Sequence, residues 1–354
     1  MNTWGQNVRL SIFGESHGPG LGVVIDGLPA GFRPDWTMVK GEMARRAPGG
    51  ELATERQEGD EIELISGVLE GTLTGAPLCG LIRNKDMRSQ DYSDMPFRPS
   101  HADYAAFHKF HGFNDPRGGG HFSGRITAGL TFAGALAKQL LAQKGIEIGA
   151  QITAIGRTLA PPVTPDQLGE RLAELRSMRL PCLNEQKANA MAEEILAAKR
   201  AGDSVGGRVE AFALGLPVGL GEPFFDSVES VLSHLFYAIP AVKGVVFGDG
   251  LEMGLMRGSD ANDAMSGGER VKILSNHNGG VTGGLTNGAP LRVTLFMKPT
   301  PTIGREQQTV NAKGESVVMR GRGRHDPCVV PRAVPVIEAA MALGLLDLMG
   351  RYEG

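Results

Sequence analysis

Residues 9–25, Arg-Leu-Ser-Ile-Phe-Gly-Glu-Ser-His-Gly-Pro-Gly-Leu-Gly-Val-Val-Ile, contain two apolar runs separated by a glycine-rich turn. The pattern predicts a strand over 9–13, a turn over 14–20 and a second strand over 21–25. The chain therefore opens with a hairpin, and Ser16 and His17 lie on the loop that joins its strands.

The rest of the chain mixes helical and strand patterns. We predict helices over 36–46, 128–144, 185–201 and 226–237, a last helix beginning near 332, and strands over 241–247 and 291–297. Asp226 and Ser227 are the predicted cap of the fourth helix. No repeat period and no Pro- or Ser-rich linker divides the 354 residues, so we predict one α+β domain over 1–354.

The charge balance argues against nucleic acid as the main partner. Lys and Arg number 36 against 39 Asp and Glu, which gives a formal net charge of −3. Any anion-binding site must then be local. A tail that binds nucleic acid remains the rival explanation for the arginines at 320–324.

Cysteine usage and the two ends of the chain bear on location. Cys79, Cys182 and Cys328 form no C-x-x-C pair, which argues against a disulfide framework and a thiolate metal site and favours a reducing compartment. Residues 1–10 lack a secretory pattern, so we expect a cytoplasmic protein. The apolar segment 333–349 is interrupted by Glu338 and Asp347 and is shorter than a membrane span, which indicates a buried helix.

Four polar clusters carry candidate chemistry. His17 lies beside Ser16 in a glycine-bounded loop, where an imidazole can act as a general acid; the alternative is a solvated turn histidine. The segment 98–104 contains His101, and Tyr104, His108 and His111 would share a helical face with it, which raises a zinc-site alternative.

The two remaining clusters favour anions. Residues 117–125, Arg-Gly-Gly-Gly-His-Phe-Ser-Gly-Arg, precede a helix, so their backbone amides, Ser123 and Arg125 can bind an anion at its start. The alternative is a flexible turn, since neither a Walker loop nor a Rossmann fingerprint is present. Residues 320–328 gather three arginines around Asp326, which should stay ionised.

Taken together, these segments resemble the chorismate synthase family along nearly the whole chain. The matching motifs occur in the family's order: 14–18, 98–104, 118–125, 241–244 (Ala-Val-Lys-Gly), 276–280 (Asn-His-Asn-Gly-Gly), 298–300 (Lys-Pro-Thr) and 323–328 (Gly-Arg-His-Asp-Pro-Cys). The resemblance implies a trans-1,4 elimination of phosphate from 5-enolpyruvylshikimate 3-phosphate, without net redox change but dependent on reduced FMN.

The resemblance also implies catalytic roles. His17 is expected to protonate the departing phosphate, and His101 to stabilise or protonate the reduced flavin. Asp326, together with Ser16, is expected to tune proton transfer at the flavin.

Binding residues follow in the same way. For the substrate's anionic groups the resemblance implies Arg45, Arg46, Arg125 and Arg332, with Arg56 nearby. For FMN it implies His121, Phe122, Ser123, Pro240, Ala241, Gly283, Lys298, Pro299, Thr300, Pro301, Thr302 and Arg324.

Two departures from the family pattern concern the cofactor. Residues 50–53 lack a basic residue that many relatives carry, which argues against a contact to NADPH there and favours an external flavin reductase as the source of reduced FMN. NADPH as the reductant is the alternative. His121 and Phe122 stand where many relatives have Arg-Ser, so a cationic contact to the flavin phosphate is weaker or supplied elsewhere.

The fold implied by the resemblance is an α+β sandwich, with helices packed between antiparallel sheets, assembled as a homotetramer. No metal, nucleic acid or membrane is expected. The remaining alternative of another class is a non-catalytic protein that binds a flavin or phosphometabolite; His17, His101 and Asp326 argue against it, since binding alone needs no such set.

Overall fold

Two antiparallel sheets enclose a layer of helices in the computed structural model, which describes residues 2–53, 59–85, 95–268, 271–321 and 326–352. This is the α+β sandwich expected from the resemblance, and the predicted fold class is confirmed.

The strands are numbered in chain order. They are β1 (Thr3–Trp4), β2 (Arg9–Gly14), β3 (Gly20–Asp26), β4 (Ile62–Ser66), β5 (Val68–Leu69), β6 (Thr72–Leu73), β7 (Leu78–Arg83), β8 (Glu147–Ile155), β9 (Thr158–Leu159), β10 (Gly207–Leu214), β11 (Val242–Phe247), β12 (Met265–Ser266), β13 (Lys272–Ile273), β14 (Val281–Thr282), β15 (Leu285–Thr286), β16 (Leu291–Met297), β17 (Glu306–Val310) and β18 (Ser316–Arg320).

Ten of these strands form the two large sheets. The first sheet has the order β1-β2-β3-β7-β4 and the second the order β11-β16-β10-β8-β9, with every neighbouring pair antiparallel. Buried and half-buried residues alternate along β16, as in a strand with one face on the core. β8 is buried along nearly its whole length.

The α-helices are likewise numbered in chain order. They are α1 (Trp36–Arg46), α2 (Asp103–Lys109), α3 (Thr127–Ala142), α4 (Pro165–Glu170), α5 (Leu172–Ser177), α6 (Glu185–Arg200), α7 (Val228–Ala238), α8 (Gly250–Met253), α9 (Gly258–Ala261) and α10 (Val330–Tyr352). Asp35 caps α1 by accepting from the amides of Thr37 and Met38, and Ser227 caps α7 by accepting from the amide of Ser230.

Helices α3 and α10 form the centre of the helical layer. They cross closely because position 134 has no side chain: a β-carbon on Gly134 would overlap Ala339. Helix α3 packs on β3 of the first sheet and α10 on β8 and β10 of the second. One apolar core therefore reaches both sheets, and its fully buried members include Phe132, Leu136 and Ile337.

Helix α10 is long and apolar enough to span a membrane by composition alone, but 89% of its most apolar window is buried inside the protein. Its apolar side chains therefore contact the core and not lipid. The expectation of a buried helix over 333–349 is confirmed, although the helix begins at Val330, two residues before the predicted start.

Other predicted elements agree closely with the structure. The hairpin of β2 and β3, helix α1 and strand β16 have the predicted positions within a residue. The helix predicted over 226–237 begins later, at Val228, because Asp226 belongs to a preceding 3-10 turn and Ser227 alone is the cap.

Candidate active site

A cavity of about 700 Å³ opens where both sheets and the helical layer meet. Its wall includes residues from β1, β2, the loop before α2, the start of α3, the end of α7, the segment after β16 and the start of α10. This volume lies within the usual range of small-molecule sites.

Most of the residues that the sequence singles out meet at this cavity. They are His101, His121, Phe122, Ser123, Arg125, Pro240, Ala241, Lys298, Thr300, Pro301, Thr302, Asp326 and Arg332. Segments separated by more than 200 residues in sequence thus converge on one space.

Three guanidinium groups are gathered beside the cavity. Arg46 donates through Nε to Asp60 Oδ2 over 2.7 Å, and Arg125 forms an ion pair with Asp60 Oδ1. Arg332 Nη1 binds Asp326 Oδ2 at 2.6 Å. Both Arg46 and Arg125 are buried, so their positions are fixed before any ligand arrives.

Within the described part of the chain, arginines outnumber carboxylates in this group. Burial lowers the pKa of Arg46 to about 10, and the nearby charges of Arg332 and Arg125 lower it too, although Asp60 opposes the shift. Three cations face two carboxylates, Asp60 and Asp326, among the described residues. An anion beside Arg46 would offset the charges of Arg332 and Arg125, which favours a phosphate or carboxylate as the ligand.

His101 is held in a fixed orientation. Its Nδ1 lies 2.6 Å from Asp103 Oδ1, and Arg98 donates to the same carboxylate through Nε and Nη2. Burial raises the pKa of Asp103, but the hydrogen bonds from Arg98 and His101 outweigh it and keep that pKa well below its usual range. The ionised carboxylate thus directs the other ring edge towards Gly119, where a β-carbon would lie 3.2 Å from Nε2.

His17 lies behind the glycine turn that borders the cavity. Gly118 lines the cavity, and a β-carbon there would overlap the His17 ring and lie 2.9 Å from Ser16 Oγ. The Ser16 amide donates to the carbonyl of Gly120, and Asn84 Nδ2 donates to the carbonyls of Glu15 and Gly18. The loop that carries His17 is therefore fastened from both sides.

The cavity wall also contains the polar residues Thr300, Lys298 and His121 among apolar ones. Thr300 Oγ1 is buried and has no hydrogen-bond partner among the described residues. Lys298 Nζ donates to the carbonyl of Ser100, and His121 Nδ1 lies 2.9 Å from the carbonyl of Gly14. Because buried polar atoms in proteins are normally paired, the orphan hydroxyl fits a ligand with polar substituents.

Some predicted residues lie away from this wall. Arg45 lies in an ion cluster with Glu42, Glu338 and Lys138 and does not line the cavity. Among the residues that the structure describes, five others also do not line it: Ser16, His17, Arg46, Gly283 and Pro299. Arg56 and Arg324 lie outside the described residues.

The histidines of the zinc alternative do not share one helix face. Helix α2 spans Asp103–Lys109, so His101 precedes it and His111, with φ of 54°, follows it. His108 packs edge-on against Tyr104. No group of three or more His, Cys, Asp or Glu in the described parts of the chain is placed to hold a metal ion.

The sequence did not single out three residues that organise the site. Asp60 joins two arginines, Asp103 orients His101, and Asn84 binds both the His17 loop and Arg125. Asp103 lies two residues after His101 in the motif at 98–104, so their spacing could have indicated that the carboxylate contacts the imidazole. Asp60 and Asn84 act across long sequence separations, for which one sequence offers no signal.

Comparison with known proteins gives one consistent result. The family model described as chorismate synthase matches residues 8–349. A chorismate synthase of Porphyromonas gingivalis is 46% identical over 98% of this chain and 95% of its own length. One of Thermococcus kodakarensis is 44% identical over 99% of both chains.

A solved structure agrees with the sequence comparisons. A crystal structure of a chorismate synthase superposes with a TM-score of 0.79 at 28% identity, over 99% of this chain and 94% of that chain.

Proposed function

Because the chain belongs to the chorismate synthase family, we propose that it eliminates phosphate from 5-enolpyruvylshikimate 3-phosphate to give chorismate, the last step of the shikimate pathway. The observation that carries the proposal is the convergence of Arg46, Arg125 and Arg332 beside a cavity that His101 lines and behind whose Gly118 wall His17 lies. Such an enzyme is a carbon–oxygen lyase that acts on a phosphate ester.

Substrate binding would rest on the three guanidinium groups. The substrate carries a phosphate and two carboxylates, and planar guanidinium groups bind such anions through paired charged hydrogen bonds. Asp60 and Asp326 hold the side chains in place beforehand, so little conformational entropy is lost when substrate binds.

His17 is the proposed acid for the departing phosphate. An imidazole can donate a proton to the phosphate oxygen as the carbon–oxygen bond breaks, because its pKa lies near the working pH. The hydroxyl of Ser16, buried without a hydrogen-bond partner in the described structure, lies against the same glycine as the His17 ring. The same loop therefore offers a second polar group at the reacting end.

Reduced FMN is the proposed cofactor, and the wall residues fit it. Ser123, Ala241, Lys298, Thr300 and Thr302 would hold it, and the orphan hydroxyl of Thr300 would gain a partner. When bound, the reduced flavin supplies electron density to the reacting allylic system. His101, oriented by Asp103, would stabilise or protonate the flavin, and Asp326 would tune proton transfer there.

The source of the reduced flavin, the compartment and the assembly are further parts of the proposal. The absence of a basic residue at 50–53 supports an external flavin reductase over NADPH bound at the site. Three free cysteines support a reducing cytoplasm. Highly exposed apolar side chains such as Phe224, Phe225 and Leu255 support burial between subunits, in a homotetramer.

An Arg125→Lys substitution tests the proposed function at the substrate. It keeps the charge but removes the planar fork, so we expect KM for 5-enolpyruvylshikimate 3-phosphate to rise about tenfold in anaerobic assays with reduced FMN. Arg157→Lys, at a surface position away from the cavity, is the matched control. Equal KM values in wild type and Arg125→Lys would contradict the assigned substrate site.

A further inference from the structure

A second, smaller cavity of about 250 Å³ lies on the other side of Arg332. It is enclosed by the end of α1 and the segment after it, the end of α5 with the following loop, and the start of α10. Arg332 is common to the walls of both cavities, so the smaller one adjoins the proposed substrate site.

The charged groups of this wall are all cationic. Arg45, Arg176, Arg179 and Arg332 line it, and no Asp or Glu does so among the residues that the structure describes. Arg45 and Arg332 are already paired, with Glu338 and Asp326. Arg176 and Arg179 form no ion pair with any acidic residue in the described ranges, so they leave positive charge uncompensated there.

Arg176 is fixed in a position that leaves a donor unused. Its Nη2 donates to the backbone carbonyl of Ile148 over 2.8 Å, which anchors the guanidinium on β8. Its Nε is buried and has no hydrogen-bond partner in the described structure. A buried cationic donor without an acceptor is costly, so the geometry favours an anion in the adjoining space.

The remaining wall limits what can bind. Pro48, Pro181, Pro331 and Pro335 supply rigid apolar surface. Burial raises the pKa of the Cys328 thiol to about 12, so it adds neither charge nor a nucleophile near neutral pH. The volume suits a small tetrahedral oxyanion and is below the usual range of cavities that hold larger ligands.

We propose that this cavity is a second anion site, which takes inorganic phosphate through Arg176 and Arg179. The reaction proposed above releases phosphate beside Arg332, and Arg332 also borders this cavity. The site would therefore accept the leaving ion and reduce its return to the substrate site. The origin of the ion rests on the proposed function, whereas the binding of phosphate does not.

Equilibrium binding of inorganic phosphate to the full chain tests the proposal. Isothermal titration and ³¹P line broadening would be measured without substrate or flavin, on wild type and on the variant Arg176→Gln/Arg179→Gln. We expect two phosphate sites per chain in wild type and one in the double variant, with the lost site weakened about tenfold or more. Arg200→Gln, an exposed arginine on α6, removes the same charge and should keep both sites.

The outcomes separate this site from the proposed activity. If circular dichroism shows that the double variant is misfolded, phosphate binding to the single variant Arg179→Gln tests the proposal instead, because that side chain is exposed and its substitution should not disturb the fold. One phosphate site in wild type, or unchanged binding in the variants, would overturn the proposal. If wild type forms no chorismate but the double variant loses one phosphate site, the proposed function is wrong and the second anion site is confirmed.

Discussion

Gly118 is the residue whose lack of a side chain lets His17 pack directly behind the cavity wall. It has φ of 60°, in the left-handed region that glycine adopts without strain, and its α-carbon packs against the His17 ring. The neighbouring Gly119 approaches His101 in the same way. The glycine run of the sequence thus lets two imidazoles pack closely against the loop that borders the cavity.

Substituting Gly118 tests this packing. In Gly118→Ala the new methyl group would overlap the imidazole and crowd Ser16 Oγ, so we expect turnover to fall at least about tenfold from displacement of the His17 loop. Gly145→Ala is the matched control, because its φ of 75° brings the same backbone strain while nothing lies within 4 Å of the added carbon. Equal losses of turnover in both variants would show that strain, and not contact with His17, is responsible.

Removing the His17 imidazole tests its role as an acid. We expect His17→Ala to lower kcat by about 10²- to 10⁴-fold, the usual contribution of a positioned general acid, with FMN binding retained. His108→Ala, on α2 and packed against Tyr104, should keep wild-type kcat. A His17→Ala enzyme with unchanged kcat and intact fold would remove His17 from the mechanism.

Many individual residues of the candidate site could be predicted from the sequence. His17, His101, Arg125 and Asp326 lie in short motifs whose residue types suit anion binding and proton transfer, and the structure gathers these motifs at one end of the fold. Asp60 could not be predicted, because its role depends on Arg46 and Arg125, which meet only in the folded chain. The position of Arg45 could not be predicted for the same reason: it pairs with Glu338, which is 293 residues away in sequence, and the assignment of Arg45 to the substrate stays a prediction.

Helices α1, α3 and α10 are joined by a buried ion cluster of Glu42, Arg45, Lys138 and Glu338. Glu338 accepts from both Arg45 and Lys138, and Glu42 also contacts both cations. Although burial raises the pKa of Glu338, the adjacent Lys138 and Arg45 charges outweigh it and hold that pKa below its usual range. Arg46 and Arg332 lie on two of these helices, so the cluster also fixes their relative positions.

Glu338→Gln tests the contribution of the cluster to stability. The substitution leaves two buried cations facing Glu42 alone, so we expect the free energy of unfolding to fall by about 3–5 kcal/mol. Denaturant titration measures the change. Glu193→Gln, an exposed carboxylate loosely paired with Arg200, should change stability little.

The same cluster gives a pH dependence with a defined sign. Since the folded-state pKa of Glu338 is depressed, its contribution is complete above the ordinary carboxyl pKa of about 4.3 and is lost as pH falls through the lower folded value. Wild type should therefore lose stability on acidification below about pH 4 more steeply than Glu338→Gln. If the stability of wild type and of Glu338→Gln fell in parallel with pH, Glu338 would not be ionised in the folded protein, contrary to this account.

Long elements were predictable, and short or fully buried ones were not. The periodicity of 36–46 and the alternation of 291–297 give elements at the predicted positions. Strands β8 and β10 were not predicted, because residues buried on both faces show no alternation of apolar and polar side chains.

Over the whole molecule, the resemblance implied the sandwich of antiparallel sheets and helices, but neither it nor the sequence patterns predicted the order of the strands. β3 pairs with β7, and β16 lies between β10 and β11, so both sheets combine strands that are distant in sequence. Local patterns do not specify such pairings.

The proposed homotetramer is a separate prediction about the assembly. Sedimentation equilibrium should give four chains per particle. A monomer at micromolar concentration would contradict this prediction.

The central claim is that this cavity carries out a flavin-dependent elimination. The most direct test incubates the purified chain anaerobically with 5-enolpyruvylshikimate 3-phosphate and chemically reduced FMN, and follows chorismate absorbance and released phosphate together. We predict that both products form in equal amounts and that neither forms with oxidised FMN. Phosphate release without chorismate, or no reaction although substrate and reduced FMN bind, would contradict the account.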